Sequence, residues 1–258
     1  MNFFGDYHTH TIYSRKPYVL VNHAKGSIED NISQAKEIGL KEIALTDHGF
    51  NHIFFGTSIK RIKKEKQEVV RLSQKYGLKV YLGVEANFIS TDGSIDVKDE
   101  DMKYLDIVLC GYHKTARCKT IREFFSFKVP NFFARIFGSS KKLVEKNTSM
   151  VINAIKKNNI DILTHLNSKI KCDVEKVAKE ASKKGTYIEL NEKHCDFTPE
   201  EIEKMLKTDV MFIVDSDAHS PAKIGKFNKV ETIIQKYNIP KERIANLDKL
   251  PKFLNLQK

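Results

Sequence analysis

Asp6-Tyr7-His8-Thr9-His10 is the stretch from which the rest of the chain can be read. Successive side chains of an extended strand alternate faces, so Asp6, His8 and His10 would project together, and two imidazoles so placed can chelate one cation. Working outward from this first run, near residues 3–9, short β-branched or apolar runs recur near 42–47, 79–86, 106–112, 160–165, 186–191 and 209–215. That makes seven strand candidates. Helix-length amphipathic stretches fill most of the gaps, which is the pattern of parallel β/α units.

Three of those helices carry explicit start and stop signals. One begins at Ser27 as cap, with Asp30 in its first turn, keeps Ile28, Ile32 and Ala35 on one face and stops at Gly39. A second has an apolar stripe of Val174, Val177, Ala178 and Ala181 that ends before Gly185. A third starts at Thr198 with Pro199 in its first position and Glu201 completing a capping box.

The remaining polar signals fall where these strands close. They are Thr46-Asp47-His48, Gly83-Val84-Glu85, Gly111-Tyr112-His113, Thr164-His165 and Asp215-Ser216-Asp217-Ala218-His219. Of the nine histidines, His8, His10, His23, His48, His113, His165 and His219 lie at or just after strand ends, leaving His52 and His194 unassigned. In a β/α barrel the loops after the strands face one pocket, so these scattered groups become neighbours. A single histidine is more often a hydrogen-bonded structural residue. For the whole set the odds reverse. Nitrogen and carboxylate donors without thiolates suit Zn, Mn or Fe in a catalytic site with open positions.

Composition narrows the alternatives. A chain of 258 residues, 41% of them hydrophobic, can bury one substantial core, and no Pro/Gly/Ser-rich linker divides it, so one domain over 1–258 is expected. No apolar run reaches the roughly 20 residues needed to span a bilayer, and the N-terminal stretch lacks a signal-peptide profile, so a cytoplasmic protein with no membrane partner is expected. Cys110, Cys118, Cys172 and Cys195 have no C-x-x-C spacing, which argues against a zinc ribbon or a disulfide framework. The net charge of +11 suits an anionic partner, although a solvated lysine face explains it as readily.

The H-x-H start, the T-D-H, G-V-E-A-N and D-x-D-x-H segments together resemble the PHP (polymerase and histidinol phosphatase) family over nearly the whole chain, and most closely its stand-alone bacterial phosphatases with a trinuclear metal centre. The resemblance implies a distorted seven-stranded (β/α)7 barrel holding two or three divalent ions. It implies that His8, His10, Glu85 and Asp217 hold one metal, and that Glu85 bridges to a second bound by His113 and His165. His23, His48 and His219 would hold a third. The stretch from His10 to His23 is longer here than in the relatives.

Such a cluster would hydrolyse a phosphate monoester of a small metabolite by attack of a metal-bound hydroxide, with Glu85 and Asp217 at its centre. No covalent nucleophile is needed, and neither a G-x-S-x-G elbow nor a phosphate-binding G-x-x-x-x-G-K-S/T loop is present. Asp6 and Asp47 would orient the metal-binding imidazoles; Asp47 could instead shuttle a proton, and Asp6 could simply bond to backbone. Glu189 and Asn191 would face the pocket, in a substrate-contacting or a structural role. Arg15, Lys114, Arg117 and Arg122 would rise around the mouth as phosphate ligands. Two other functions remain open: cleavage of nucleic-acid phosphodiesters, a less favoured partner, and a non-catalytic domain that metals only stabilise.

One segment stands apart. Residues 117–142 hold seven basic residues, one acidic residue (Glu123) and six phenylalanines, including Phe124, Phe125, Phe132 and Phe133, and read as a helical insertion. Its cations would draw in an anionic ester. Its aromatics would exclude water or stack on substrate, unless they are ordinary core between two helices.

Overall fold

The computed structural model describes residues 1–256. Seven strands form one sheet: β1 (Gly5–Asp6), β2 (Glu42–Leu45), β3 (Lys79–Asn87), β4 (Ile107–Gly111), β5 (Ile162–Leu163), β6 (Tyr187–Asn191) and β7 (Phe212–Asp215). They pair in chain order, every pair parallel, with registers such as Glu42 opposite Lys79 and Asn87 opposite Gly111. Helices α1 (Ile28–Glu37), α2 (Ile59–Tyr76), α3 (Ile121–Glu123), α4 (Val129–Phe137), α5 (Lys141–Lys157), α6 (Val174–Lys184), α7 (Pro199–Leu206) and α8 (Asn228–Lys236) lie between and after them. The expected (β/α)7 barrel is therefore present.

Local sequence accounts for the helices where signals were read. Ser27 and Asp30 form a reciprocal capping box on α1, and Thr198 and Glu201 form another on α7. After α6, Gly185 takes a left-handed φ of 81°, a conformation glycine adopts without the Cβ penalty.

Closure is where the barrel is distorted. No ladder joins β1 to β7; the backbone contact above them is a single parallel bridge between Thr9 and Ala218, with His10 N donating to Ala218 O at 2.8 Å. Side chains close the seam instead. The Tyr7 amide donates to Asp215 Oδ1 (2.6 Å), the Ser216 amide and hydroxyl donate to Asp6 (3.1 and 2.5 Å), and Asn246 bonds the carbonyls of Gly5 and Val214. This explains why β1 is regular over two residues rather than the seven expected near 3–9.

The barrel interior is plugged below the mouth by Tyr7, Ala44, Tyr81, Ile107, Leu109, Ile162, Ile213 and Phe253. Both tyrosine hydroxyls donate to the buried Glu42 carboxylate at 2.9 Å, satisfying it where an unpaired charge would be costly. Phe253 comes from the C-terminal segment and packs edge-on against Tyr7, so that segment seals the face opposite the mouth. The larger core lies between strands and helices and is built from residues such as Ile32, Ile62, Val108, Met150, Val177 and Val230.

Candidate metal centre

Above the plug, the strand ends deliver polar side chains into one buried cluster centred on Glu85. Its Oε1 lies 2.8 Å from His165 Nε2 and 3.2 Å from His113 Nε2; its Oε2 lies 2.9 Å from His48 Nδ1 and 3.4 Å from His8 Nε2. Four imidazoles from four strand ends thus surround one carboxylate. Asp217 completes the other side, with Oδ1 3.3 Å from His10 Nε2, 3.3 Å from His219 Nδ1 and 3.8 Å from His8 Nε2. Two of these residues are turned into place by unusual backbone: His165 has φ 35° and Asp217 φ 51°. Left-handed conformations cost a non-glycine residue about 1–3 kcal/mol and persist where surroundings over-determine them, often at functional sites.

Proton placement shows what the cluster suits. Asn87 Nδ2 donates to Asp96 (2.6 Å), which fixes that amide so that its Oδ1 accepts from His113 Nδ1 at 2.8 Å. His8 Nδ1 likewise faces Glu189 Oε1 at 2.6 Å. With its Nδ1 proton held this way, a neutral His113 presents a bare Nε2 lone pair to Glu85, whereas the Glu85, Glu189 and Asp217 carboxylates outweigh burial at His8 and raise its pKa well above the usual histidine value; His8 and His10 bring Nε2 atoms to 3.2 Å, and His23 and His219 to 2.8 Å. His10 Nδ1, His48 Nδ1 and Glu85 Oε2 are buried without a hydrogen-bond partner. Lone pairs facing lone pairs inside a protein are unfavourable, and divalent cations would satisfy them.

Donor atoms converge in three overlapping triads, each within 4.8 Å: His8, His10 and Asp217; His48, Glu85 and His113; His10, His48 and His219. His10 and His48 are shared, so this is one continuous nitrogen and oxygen site. His165 joins it through Glu85, and His23 through His219, its ring stacked on Phe55 with centroids 4.2 Å apart. Despite burial, His113 and His8 hold the Glu85 carboxyl well below the usual range, and His8 and His10 do the same for Asp217. Burial pushes His113 down to about 3 and His219 to about 4, keeping both rings neutral as ligands must be.

Several expected roles fall elsewhere. Of the two roles open to Asp6, the hydrogen bonds match the backbone-bonding one: its carboxylate accepts from the Ser216 amide and hydroxyl and from the Gly225 amide (2.9 Å), not from a ring of the cluster. Strand alternation ends with the two regular residues of β1, so the period cannot carry Asp6 to the mouth. The orienting contact to His8 comes from Glu189, which also accepts the His165 amide at 2.7 Å. Asp47, pushed up to about 6 by burial, accepts from the Thr11 amide and hydroxyl, both at 2.6 Å, and lies 3.9 Å from His10 Nδ1.

A hollow of about 360 Å³ opens over the cluster, and the cations lining it are Lys114, Arg135, Lys169 and Lys193. Of the basic residues expected there, only Lys114 arrives. Arg15 turns back to the Val19 carbonyl, Arg117 and Arg122 are exposed away from the hollow, and Asn191 is used internally, accepting from the Lys193 and His194 amides at 2.9 Å. Asn191 thereby shapes the loop that presents Lys193. Sequence reading missed Arg135, Lys169 and Lys193 because cations are plentiful in this chain and nothing local marks which point inward.

The two unassigned histidines also line the hollow. His52 is not arranged as a ligand: its Nδ1 accepts from the Phe55 amide (2.9 Å), leaving Nε2 protonated toward the Thr115 hydroxyl (2.7 Å). His194 Nε2 lies 3.9 Å from Asp217 Oδ2.

The model of the PHP domain matches residues 6–238. The chain belongs to the PHP family. Within that family it is 31% identical to a probable phosphatase of Caldanaerobacter subterraneus subsp. tengcongensis, over 96% of this chain and 90% of the relative. It is 26% identical to a probable phosphatase of Acetivibrio thermocellus, over 100% of this chain and 98% of the relative. Among solved structures it superposes on histidinol phosphate phosphatase from Lactococcus lactis, complexed with zinc, L-histidinol and phosphate, with a TM-score of 0.59 at 14% identity. That match covers 98% of this chain and 97% of the other. A putative histidinol phosphatase from Listeria monocytogenes gives 0.57 at 13% identity, covering 88% of this chain and 99% of the other. At these identities the structural likeness concerns the fold: a PHP barrel with seven parallel strands.

Proposed function

We propose that this chain is a metal-dependent phosphatase that releases phosphate from monoesters of a small metabolite. The observation that carries the reading is Glu85, a buried carboxylate ringed by His8, His48, His113 and His165, each with a ring nitrogen within 3.4 Å of it. The family and its probable phosphatase relatives support the same class of reaction.

In this reading His8, His10, Glu85 and Asp217 hold one divalent cation, Glu85 with His113 and His165 a second, and His23, His48 and His219 a third. Zn, Mn and Fe suit such a donor set. Bound there, the cations supply a nucleophile from water at neutral pH and neutralise charge on the phosphoryl and leaving oxygens.

The protein's own groups do the rest. Glu189 keeps the proton of His8 on Nδ1, and the Asp96–Asn87 pair does the same for His113, so both rings present Nε2 inward. Asp47, 3.9 Å from His10 Nδ1, faces that ring without a hydrogen bond to it and holds the Thr11 amide and hydroxyl beside the site. Lys114, Arg135, Lys169 and Lys193 draw the phosphate to the mouth and offset its charge. The volume of the hollow is in the range of small-molecule sites, which favours a metabolite over a nucleic-acid strand.

Purified protein incubated with an aryl phosphate should release inorganic phosphate after loading with Zn, Mn, Co or Fe and not after chelation. Absence of release with every one of these metals overturns the proposal. A substrate panel spanning phosphorylated sugars, amino alcohols and nucleotides then resolves the ester class.

A further inference from the structure

In the insertion after β4 the usual sense of an amphipathic helix is reversed. Lys128, Asn131 and Arg135 face the protein. Lys128 is buried over the Tyr112 ring and bonds the His113 carbonyl, Asn131 and Asn147 exchange amide hydrogen bonds at 3.0 and 2.8 Å, and Arg135 reaches the hollow. The apolar side looks out. Phe124, Phe125, Phe132, Phe133 and Phe137 are between 45% and 80% exposed, and Ile121 and Ile136 are 73% and 64% exposed. None of the five phenylalanines lines the hollow; of the six in the segment, only Phe127 is buried, against Tyr112. A contiguous apolar face on an anchored helix marks a contact with something else.

We propose that this face docks on an anionic lipid bilayer, lying in the interface with its phenylalanines among the acyl chains. Charge complementarity selects this partner. Arg122, Lys141 and Lys142 flank the aromatic run, are exposed, and make no ion pair among the described residues. The one acidic residue of the segment, Glu123, is already engaged by the Thr91 amide and hydroxyl at 2.9 and 3.1 Å. Docking on a second copy of the same face would set these three cations against their own images with Glu145, exposed one turn further along α5, as the one unengaged carboxylate beside them among the described residues. An anionic surface answers both the cations and the aromatics. No described helix is long and apolar enough to cross a membrane, and a helix lying in the interface requires none. The inference does not depend on the reaction proposed above.

Flotation of the metal-loaded full chain with phosphatidylcholine vesicles, with and without phosphatidylglycerol, tests it. The chain should float with the anionic vesicles, bind less as salt is raised, and stay largely free with phosphatidylcholine alone. Combined Phe132→Ser, Phe133→Ser and Phe137→Ser should weaken partition roughly tenfold or more, as loss of three buried rings requires. Separately, Lys141→Glu with Lys142→Glu should weaken it on anionic vesicles by a similar factor through lost surface attraction. Circular dichroism establishes that the variants are folded. Three results would each overturn the proposal: equal partition onto neutral vesicles, anionic binding that survives the phenylalanine changes, or no flotation accompanied by a concentration-dependent dimer that those changes abolish.

Discussion

At the mouth of the barrel, side chains far apart in sequence finish within hydrogen-bonding distance of each other; in the insertion beside it, phenylalanines adjacent in sequence finish in solvent. Both regions stand out in the sequence, and both lie on the same side of the fold. They differ in what positions their groups. The cluster is assembled by topology, because parallel β/α units bring every strand end to one place. The insertion is assembled by local helix geometry and a few polar anchors, and topology says nothing about what covers its outer side. Buried polar groups in the first must satisfy each other or a ligand. Exposed apolar groups in the second can await a partner that is not part of the chain.

The sharpest way to break this contrast is at Glu85. Glu85→Gln keeps the shape but removes the charge that four imidazoles face. Metal-dependent phosphate release should fall on the order of 10²- to 10³-fold, the scale for losing one preorganised electrostatic group. Metal content measured on the same protein should fall with it. Unchanged turnover alongside a lowered melting temperature would show that the cations serve stability alone.

Next in size is a comparison of two carboxylates. Glu189→Gln removes the acceptor that fixes the His8 proton and should lower metal affinity or activity roughly 10- to 100-fold. Raising the metal concentration should restore part of that activity. Asp6→Asn disturbs the β1–β7 seam instead, so it should lower the melting temperature with a smaller loss of metal affinity. Competitive chelation titrations and thermal denaturation of both variants separate the two roles. An equal loss of metal affinity in both would mean that the seam and the site are one unit.

Arg135→Ala probes the single exposed cation that links the regions, since it stands on α4 and lines the hollow. Loss of one solvent-exposed charge contact to phosphate should raise KM several-fold with a smaller change in kcat, because such a contact is made before and during the reaction alike. A fall in kcat at constant KM would assign it to the transition state.

How much of this was legible in the sequence follows the same division. The seven strands and the histidines and acids at their ends could be read because a barrel gathers strand ends whatever the loops do. The exchange of roles between Asp6 and Glu189 could not. It depends on where β1 stops being regular, and that is decided by the seam contacts of Asp215, Ser216 and Asn246 from the far end of the chain. The Asp96–Asn87–His113 chain was hidden for a similar reason: nothing in the spacing of Asn87 and Asp96 announces that a hairpin-like bridge between Phe88 and Ile95 folds one onto the other. In the insertion, the helical period revealed the aromatic stripe but not its surroundings. Neither a cover over the hollow nor core between two helices describes it, because Asn131 on the polar side of α4, with Lys128 just before that helix, makes the contacts that hold the segment down.

The smallest expected effect tests that last statement. Phe133→Ser changes a ring that is 51% exposed and outside the hollow, so stability should stay within about 0.5 kcal/mol of the parent, as for other surface positions without a special role. Turnover of a soluble aryl phosphate should also be unchanged. Phe127→Ala, six residues earlier in the same insertion, deletes a fully buried ring packed on Tyr112 and should cost about 3–5 kcal/mol. Denaturant unfolding of the pair measures both in one experiment. The contrast between them is what an anchored helix with one covered and one uncovered side demands. If Phe133→Ser destabilised the chain as much as Phe127→Ala, the outer aromatics would be packed in solution, by closure of the insertion or by a second molecule, and the difference drawn between the two regions would fail.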